Sequence, residues 1–192
     1  TPVLATITVT PVANGCTGAS QTFTITVNPT PTVADPADQV VCNNALTTAV
    51  SFTGAVTGTT YNWTNDNTSI GLAASGSGDI AAFTATNTGT TPVVATITVT
   101  PVANGCTGAS QTFTITVNPT RNAVATPASQ TICSGATITT IVLSGNVTGT
   151  TYNWTRDNDI AVTGIAASGS GDISGALTNT TNAPVTVTFT IT

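Results

Sequence analysis

The chain has 192 residues, and its two Arg, seven Asp and lack of His, Lys and Glu give a formal net charge of −5. Two cationic side chains cannot neutralise a phosphate backbone, and an anionic lipid surface repels an acidic chain, so we expect neither nucleic-acid binding nor membrane insertion. A Ser, Thr or Cys nucleophile has no ordinary general base here, so we also expect no enzymatic activity, no catalytic residue and no cofactor.

The chain is a tandem repeat. The run ATITVTPVANGCTGASQTFTITVNPT occurs without change at residues 5–30 and again at residues 95–120. Self-similarity at a fixed period indicates an array of one repeated module. Because residues 1–30 match residues 91–120, the chain opens within a module and contains only its last two strands. Its first residue is Thr, which fits an internal piece of a longer protein.

Thr alternates with apolar residues in both halves of the repeated run, at residues 95–100 and 112–117. Such period-two alternation of β-branched and aromatic residues predicts strands with one buried and one wet face. The segment PVANGCTGAS between them is rich in Pro, Asn and Gly, which favour a reversing loop. The run therefore predicts a β-hairpin. Helices are disfavoured because 48 of the 192 residues are Thr.

Residues 31–120 form the one complete module. Four further strands precede the hairpin, each bounded by Gly, Pro or Asn, at residues 38–42, 47–53, 59–64 and 80–86. Many short strands with turn signals at this spacing are typical of an immunoglobulin-like sandwich. We therefore predict an all-β fold, with tandem immunoglobulin-like β-sandwich domains in a linear array.

Two aromatic residues alternate along the same strand of successive modules. They are Tyr61 and Trp63 in one module and Tyr152 and Trp154 in the next. A Trp on a central strand packs between the two sheets of an immunoglobulin-like sandwich. We interpret all four residues as core anchors rather than as a platform for a ligand.

Residues 121–192 repeat the module with more differences. The segment AASGSGDI, for example, occurs at residues 73–80 and 166–173, and the chain ends before the closing hairpin loop. The predicted domains are therefore 1–30, 31–120 and 121–192, of which only the second is complete. Truncation of a longer chain explains these ends, and head-to-tail strand donation between separate chains is the alternative hypothesis.

Four cysteines recur at two phases of the repeat, which indicates an oxidising compartment and disulfides; buried free thiols are the alternative. Cys42 and Cys106 are the early and late cysteines of the complete module, so a bridge between them is the simplest pairing. Cys16 and Cys133 would then pair outside the chain. The rival is a bridge between neighbouring modules, because the first turn and the closing loop of a plain sandwich lie at opposite ends.

Two loops carry the Asp and Asn oxygens that calcium prefers. Their residues are Asn65, Asp66, Asn67, Asp157, Asn158 and Asp159. Solvated turn residues explain both loops more simply, so we predict no metal site. Residues 65–69 and 73–79 are candidate sugar-binding loops, since loops on a rigid scaffold often carry binding.

The segments QTICSG, TTYNWT, AASGSGDI and VTPVANGCTG, with TFTITVNPTPTV at the module exit, together resemble a known family. They are similar to the PKD-like, immunoglobulin-like tandem repeats of Bacteroidota cell-surface adhesins of the SprB type, which serve gliding motility. The resemblance covers essentially the whole chain and implies an all-β module, export by the type IX secretion system and display as a filament. After Trp63 the chain reads TNDN instead of the usual PKD run of aromatic, Gly, Asp and Gly, so no role of that loop is carried over.

The repeats and the resemblance together favour a structural function on the outside of a bacterial cell. We expect the repeat region of a long cell-surface adhesin filament that acts in gliding motility and surface attachment. Its expected partners are the neighbouring repeats of the same chain, together with extracellular polysaccharide or other surfaces. The alternative is a polysaccharide-binding module of a secreted multidomain protein.

Overall fold

The computed structural model describes residues 1–192, of which 42% lie in strands and 2% in helix, so the predicted all-β fold is confirmed. No helix is long and apolar enough to cross a membrane. The chain forms two compact units. One contains Thr1–Asn87 and Pro92–Asn118, and the other contains Thr88–Thr91 and Pro119–Thr192.

The first unit contains ten strands and one short 3-10 turn, η1. In chain order these elements are β1 (Val3–Val9), β2 (Val12–Ala13), β3 (Cys16–Thr17), β4 (Gln21–Val27), β5 (Gln39–Cys42), β6 (Thr60–Asn65), η1 (Thr68–Ile70), β7 (Ser75–Ser77), β8 (Val93–Ala103), β9 (Cys106–Thr107) and β10 (Gln111–Asn118). β1 pairs with β4 and β2 pairs with β3, which makes a separate hairpin of residues 1–30.

The remaining strands of the first unit form one sheet in the order β5-β10-β8-β6-β7, with β9 beside β8. β8 and β10 pair antiparallel with Ile97 opposite Phe113, which confirms the hairpin that the alternating pattern predicts. β5 pairs parallel with β10, with Gln39 opposite Ile115. The first and last strands of the module are therefore direct neighbours.

The tip of the β8–β10 hairpin is tighter than the predicted reversing loop. β8 continues through Pro101 to Ala103, and Ala103 lies opposite Cys106 in β9. Between them Asn104 and Gly105 have φ values of 50° and 77°. Positive φ at both central positions is the geometry of the two-residue hairpin turn that an Asn-Gly pair favours, so only these two residues reverse the chain.

Residues 46–53 and 80–86 form the opposite layer of the sandwich. The sequence predicts two regular strands at residues 47–53 and 80–86, and that prediction is wrong in detail, because the structure has only isolated antiparallel bridges, Leu46↔Thr84 and Val50↔Ile80. The Asp79 carboxylate accepts the backbone N–H of Phe52 at 2.9 Å, where a regular sheet would have a backbone carbonyl of the neighbouring strand as acceptor. The layer is extended, but side-chain acceptors interrupt its ladder.

The apolar faces of the two layers enclose one continuous core. Its buried members are Val33, Val50, Phe52, Trp63, Ile70, Leu72, Ile80, Ala85, Ala95, Ile97, Val99, Phe113, Ile115 and Val117. A core enclosed by two β layers is the architecture of an immunoglobulin-like sandwich, as predicted.

The repeated run forms the same hairpin twice, but only one copy is buried. β1 and β4 pair with Ile7 opposite Phe23, the register of Ile97 and Phe113 in the second copy. Phe23 is 52% exposed, whereas Phe113 is 2% exposed. The run therefore determines the hairpin by itself, and burial requires the rest of a module packed against it.

The second unit repeats these elements in shorter form. They are β11 (Val124–Thr126), β12 (Val142–Ser144), β13 (Asn153–Arg156), β14 (Val162–Thr163), β15 (Ser168–Ser170), β16 (Thr178–Asn179) and β17 (Phe189–Ile191). β13 lies between β15 and β17, while β11 pairs with β12 and β14 with β16. Its buried core consists of Ile138, Leu143, Trp154, Ile165 and Ile173.

The two copies of the hairpin allow a matched test of burial. Ile115→Ala is expected to lower the free energy of unfolding of the first unit by about 2–5 kcal/mol, because it leaves a cavity in a closed core. Ile25→Ala changes the same sequence in the exposed copy and is expected to cost less than about 0.5 kcal/mol. Urea denaturation followed by circular dichroism and Trp fluorescence measures both. Equal losses would show that both copies of the hairpin are packed alike.

Candidate functional site

Both Trp side chains lie in the cores and rest on a glycine of the neighbouring strand. The Trp63 ring covers Gly76, where an added Cβ would overlap the ring carbons, and its indole N–H donates to the Gly78 carbonyl at 3.2 Å. Trp154 covers Gly169 in the same way. The repeated segment SGSG is therefore the strand that receives the Trp ring, a role that its recurrence beside the Trp motif could have indicated.

The two Tyr side chains are half-buried at the edges of these cores. The Tyr61 and Phe52 ring centroids are 5.7 Å apart, and the Tyr61 hydroxyl lies against Gly54. Tyr152 lies against Gly145 in the second unit. All four predicted anchors therefore contact a core, the two Trp from within it and the two Tyr from its edge.

Five of the seven Asp side chains accept a hydrogen bond from a backbone N–H of another segment, at 2.6–2.9 Å. The pairs are Asp38 with Thr114, Asp66 with Thr96, Asp79 with Phe52, Asp157 with Thr188 and Asp172 with Leu143. Carboxylates make strong, charge-assisted hydrogen bonds. These Asp side chains therefore tie segments of the sandwich together.

The first candidate calcium loop is organised by internal hydrogen bonds. The Asn65 amide donates to the carbonyls of Leu72 and Ala73, and its oxygen accepts the backbone N–H of Asn67. The Asn67 oxygen in turn accepts the backbone N–H of Ser69 at the start of η1. These Asn oxygens are therefore occupied as turn and cap acceptors.

The second candidate loop is built similarly. Asn158 has a positive φ of 52°, and its amide donates to the Thr186 carbonyl at 2.7 Å. Asp159 is exposed on the same turn. No three His, Cys, Asp or Glu side chains of the chain lie together as a group that could hold a metal ion.

Arg156 replaces Asn65 at the equivalent position of the second unit and performs the same task. Its guanidinium donates to the carbonyls of Ile165, Ala166 and Val162 at 2.9–3.0 Å. An Arg carries several donors in a fixed plane, so one side chain can satisfy several carbonyls of a loop. Sequence reasoning missed this role, because the two residue types share neither size nor charge.

The loops at residues 65–69 and 73–79, the candidate sugar-binding loops, are anchored to the module, although most of their residues are exposed. η1 overlaps the first loop and ends at Ile70, which is fully buried. The second contains β7, which pairs with β6 through Gly76 opposite Trp63. Each loop is thus tied to the core through individual residues such as Asn65 and Gly76.

Two clefts lie elsewhere on the surface. A cleft of about 470 Å³ lies in the first unit between residues 34–39 and 48–53, and a cleft of about 550 Å³ lies in the second unit. The second is lined by Arg121, Asn122, Ala123, Gly149, Thr150, Thr151, Tyr152, Ile191 and Thr192. Neither cleft includes residues of the candidate sugar-binding loops.

All four cysteines are free thiols in the structure. Cys42 lies at the end of β5, opposite Asn118, the last residue of β10. Cys106 lies in β9, before the other end of β10 at Gln111. The eight residues of β10 span about 23 Å at the usual strand rise, whereas disulfide-bonded Cα atoms lie about 4.4–6.8 Å apart. The predicted Cys42–Cys106 bridge is therefore not formed, because the fold separates the two thiols by the length of a strand.

Asp38 links the first strand of the module to the last. It immediately precedes β5, and its Oδ1 accepts the backbone N–H of Thr114 in β10 at 2.6 Å. This backbone hydrogen bond, with a further contribution from the Thr114 side chain, holds the pKa of the Asp38 carboxyl below its ordinary value of 3.8. The charged form of Asp38 therefore favours the folded module.

Comparison with protein families gives one match. A profile of the PKD-like domain matches residues 38–121 and again residues 130–192, which together are more than half of the chain. No curated protein matches the chain significantly. The two matched ranges contain both Trp motifs and both copies of the SGSG segment.

Acid titration tests the role of Asp38. Because its folded-state pKa is lowered, its contribution to stability is fully present above the unfolded-state value and is lost as the pH falls through the folded-state value. Asp38→Ala is expected to lower the urea midpoint more at pH 7 than at pH 2. Asp38→Asn keeps an oxygen acceptor without the charge, so it is expected to match the original protein at pH 2 and to fall below it at pH 7. A constant difference across this range would contradict the assignment.

Proposed function

Because the chain belongs to the PKD-like domain family, whose members are commonly extracellular structural or adhesive repeats, we propose that its modules form the shaft of a cell-surface adhesin filament. In this proposal the filament serves surface attachment and gliding motility in Bacteroidota and leaves the cell through the type IX secretion system. The resemblance of the repeated segments to such adhesins supports this assignment. The geometry of the complete module supports a structural role independently.

The observation that carries the proposal is that the chain enters and leaves the module at opposite ends of one strand. The entering residue Pro31 lies against Gly108, next to the hairpin turn that precedes β10. The chain leaves at Asn118, whose backbone carbonyl accepts the backbone N–H of Asn43 at 2.8 Å. A module with this arrangement extends a filament by its own length, as a shaft requires.

Tension applied through the two ends of the chain acts along the pairing of β5 with β10. Four residues of each strand pair in parallel, from Gln39 opposite Ile115 to Cys42 opposite Asn118. Because parallel strands pulled from opposite ends slide past each other, their hydrogen bonds must break together rather than one at a time. The Asp38–Thr114 hydrogen bond lies at the same junction and adds to this resistance.

Consecutive modules also contact each other within the first unit. The Asn28 amide, in the exit segment of residues 1–30, donates to the Asn104 carbonyl in the hairpin turn of the following module at 2.8 Å. A Pro follows Asn28 and restricts the backbone of the joint. This contact supports neighbouring repeats of the same chain as the first partners of each module.

Single-molecule force spectroscopy on the whole chain tests the resistance of the β5–β10 pairing. Unfolding of residues 31–120 is expected to release about 280 Å, from roughly 3.6 Å per extended residue less the folded length. Val40→Pro is expected to lower the unfolding force of this event, because proline disrupts the pairing of β5. The side chain of Val40 is 68% exposed, so little packing is lost.

Ile97→Ala is the control for this measurement. It lowers equilibrium stability by about 2–5 kcal/mol without touching the pairing of β5 with β10. Its unfolding force is expected to fall less than that of Val40→Pro. If both variants lose force in proportion to their equilibrium stability, the terminal strands have no special mechanical role.

Electron microscopy of the native protein tests the shaft itself. The eleven residues of β8 span roughly 33 Å at the usual strand rise, so with its joint each module is expected to add about 40 Å to a beaded fibre on the cell surface. Immunogold labelling with antibodies raised against residues 31–120 should decorate the fibre along its length. A compact particle, or labelling confined to one end, would contradict the proposal.

A further inference from the structure

We propose that the two cysteines of each module form disulfides with neighbouring modules, each joining the early cysteine of one module to the late cysteine of the next. The early cysteine is the one in the position of Cys42, and the late cysteine is the one in the position of Cys106. The complete module has one cysteine of each kind, so an array of such modules would be linked continuously. This inference concerns the joint and holds whatever the array is used for.

The early cysteine lies at the exit end of its module with its side chain outward. Cys42 is exposed, whereas Val41 before it packs against the core. Residues paired in a parallel ladder have side chains on the same face of the sheet, and Cys42 is paired with Asn118. The early cysteine therefore shares the outward face with the Asn that ends β10.

The late cysteine lies where the preceding module makes contact. Asn28 is the counterpart of Asn118 in the repeated run, and its side chain donates to Asn104 in the turn of the next module at 2.8 Å. Cys106 belongs to the same turn, two residues after Asn104. The Asn that adjoins the early cysteine of one module thus touches the turn that carries the late cysteine of the next.

The turn that carries the late cysteine is partly buried in the complete module. Ala13 and Cys16 are exposed in the first copy of the turn, whereas the identical Ala103 is 5% exposed and Cys106 is half-buried in the second copy. The second copy has the rest of its own module packed against it, including β6 beside Val102, as well as the exit segment of the preceding module and Pro31 near it. The late cysteine is therefore half-buried in the turn that the preceding module contacts.

These observations bring the early cysteine of one module close to the late cysteine of the next. The early cysteine is about 4.8 Å from the exit Asn, the spacing of paired strands, and one hydrogen bond joins that Asn to the turn of Cys106. The alternative pair within one module, Cys42 and Cys106, is separated by the length of β10. The joint is thus where a disulfide between these two phases of the repeat can form.

The reaction is an ordinary thiol–disulfide exchange with an external disulfide as oxidant, either a small molecule such as oxidised glutathione or a disulfide oxidoreductase. One cysteine thiolate attacks the oxidant and forms a mixed disulfide, which releases one thiolate of the oxidant. The second cysteine thiolate then attacks the protein sulfur of that mixed disulfide and releases the other. Two protein thiols lose two electrons and two protons, and the oxidant disulfide is reduced to two thiols.

Residues 1–192 contain no complete pair of this kind, because residues 1–30 carry a late cysteine, Cys16, and no early one. The test therefore extends the whole chain by placing a second copy of residues 31–90 before Thr1, which completes a module with residues 1–30. After equilibration with a glutathione redox buffer, peptide mass spectrometry should find one disulfide, between the early cysteine of the added copy and Cys106. Cys16, Cys42 and Cys133 should remain thiols.

Two variants of the extended chain serve as matched controls. Cys106→Ser is expected to abolish the bridge, whereas Cys42→Ser is expected to leave it unchanged. The folded joint should also require at least about tenfold less oxidised glutathione for half-formation of the bridge than the same chain in guanidinium chloride, because the fold holds the thiols together. A bridge between Cys42 and Cys106, a bridge of the added cysteine to Cys16, no bridge, or equal oxidation in the two solvents would each overturn the proposal.

Discussion

Burial of one apolar hairpin face against the opposite layer is the constraint on which the rest of the module depends. Ile97 and Ile115 are fully buried, while the same hairpin in residues 1–30 has most of its apolar side chains exposed. The pairing of such a hairpin needs only its own alternation and its Asn-Gly turn, because both are local. The core needs a second layer from elsewhere in the module, since the hydrophobic gain comes from removing that face from water.

A chain that is rich in Thr and poor in charge completes this core with small residues and internal acceptors. The ring of Trp63 fits because Gly76 has no side chain, and Asp79 substitutes for a backbone carbonyl where the second layer is irregular. No buried side-chain nitrogen or oxygen lacks a hydrogen-bond partner. Buried polar atoms without partners are costly, so these carboxylates and amides stabilise the modules where another protein would use them for chemistry.

The same fold separates the point where the chain enters the module from the point where it leaves. Parallel pairing of β5 with β10 places the chain's entry and exit at opposite ends, and the hairpin turn meets the exit segment of the preceding module through Asn28 and Asn104. Joints of this kind combine a stiff Pro-containing connection with a small polar contact. A covalent bond at the same place would prevent neighbouring modules from separating or rotating. Strand pairing inside each module does not restrain the joint in this way.

The all-β class, the alternating strands, the hairpin of residues 95–117 and the repeat period can be predicted from the sequence, because each depends on residues close together in the chain. Tertiary structure alone decided that β5 lies parallel to β10, that residues 46–53 make only isolated bridges, and that Cys42 and Cys106 lie at opposite ends of the module. It also decided that Arg156 performs the task of Asn65. Each of these features joins segments far apart in the chain, and the pattern of a segment records which of its faces is buried without specifying the partner that covers it.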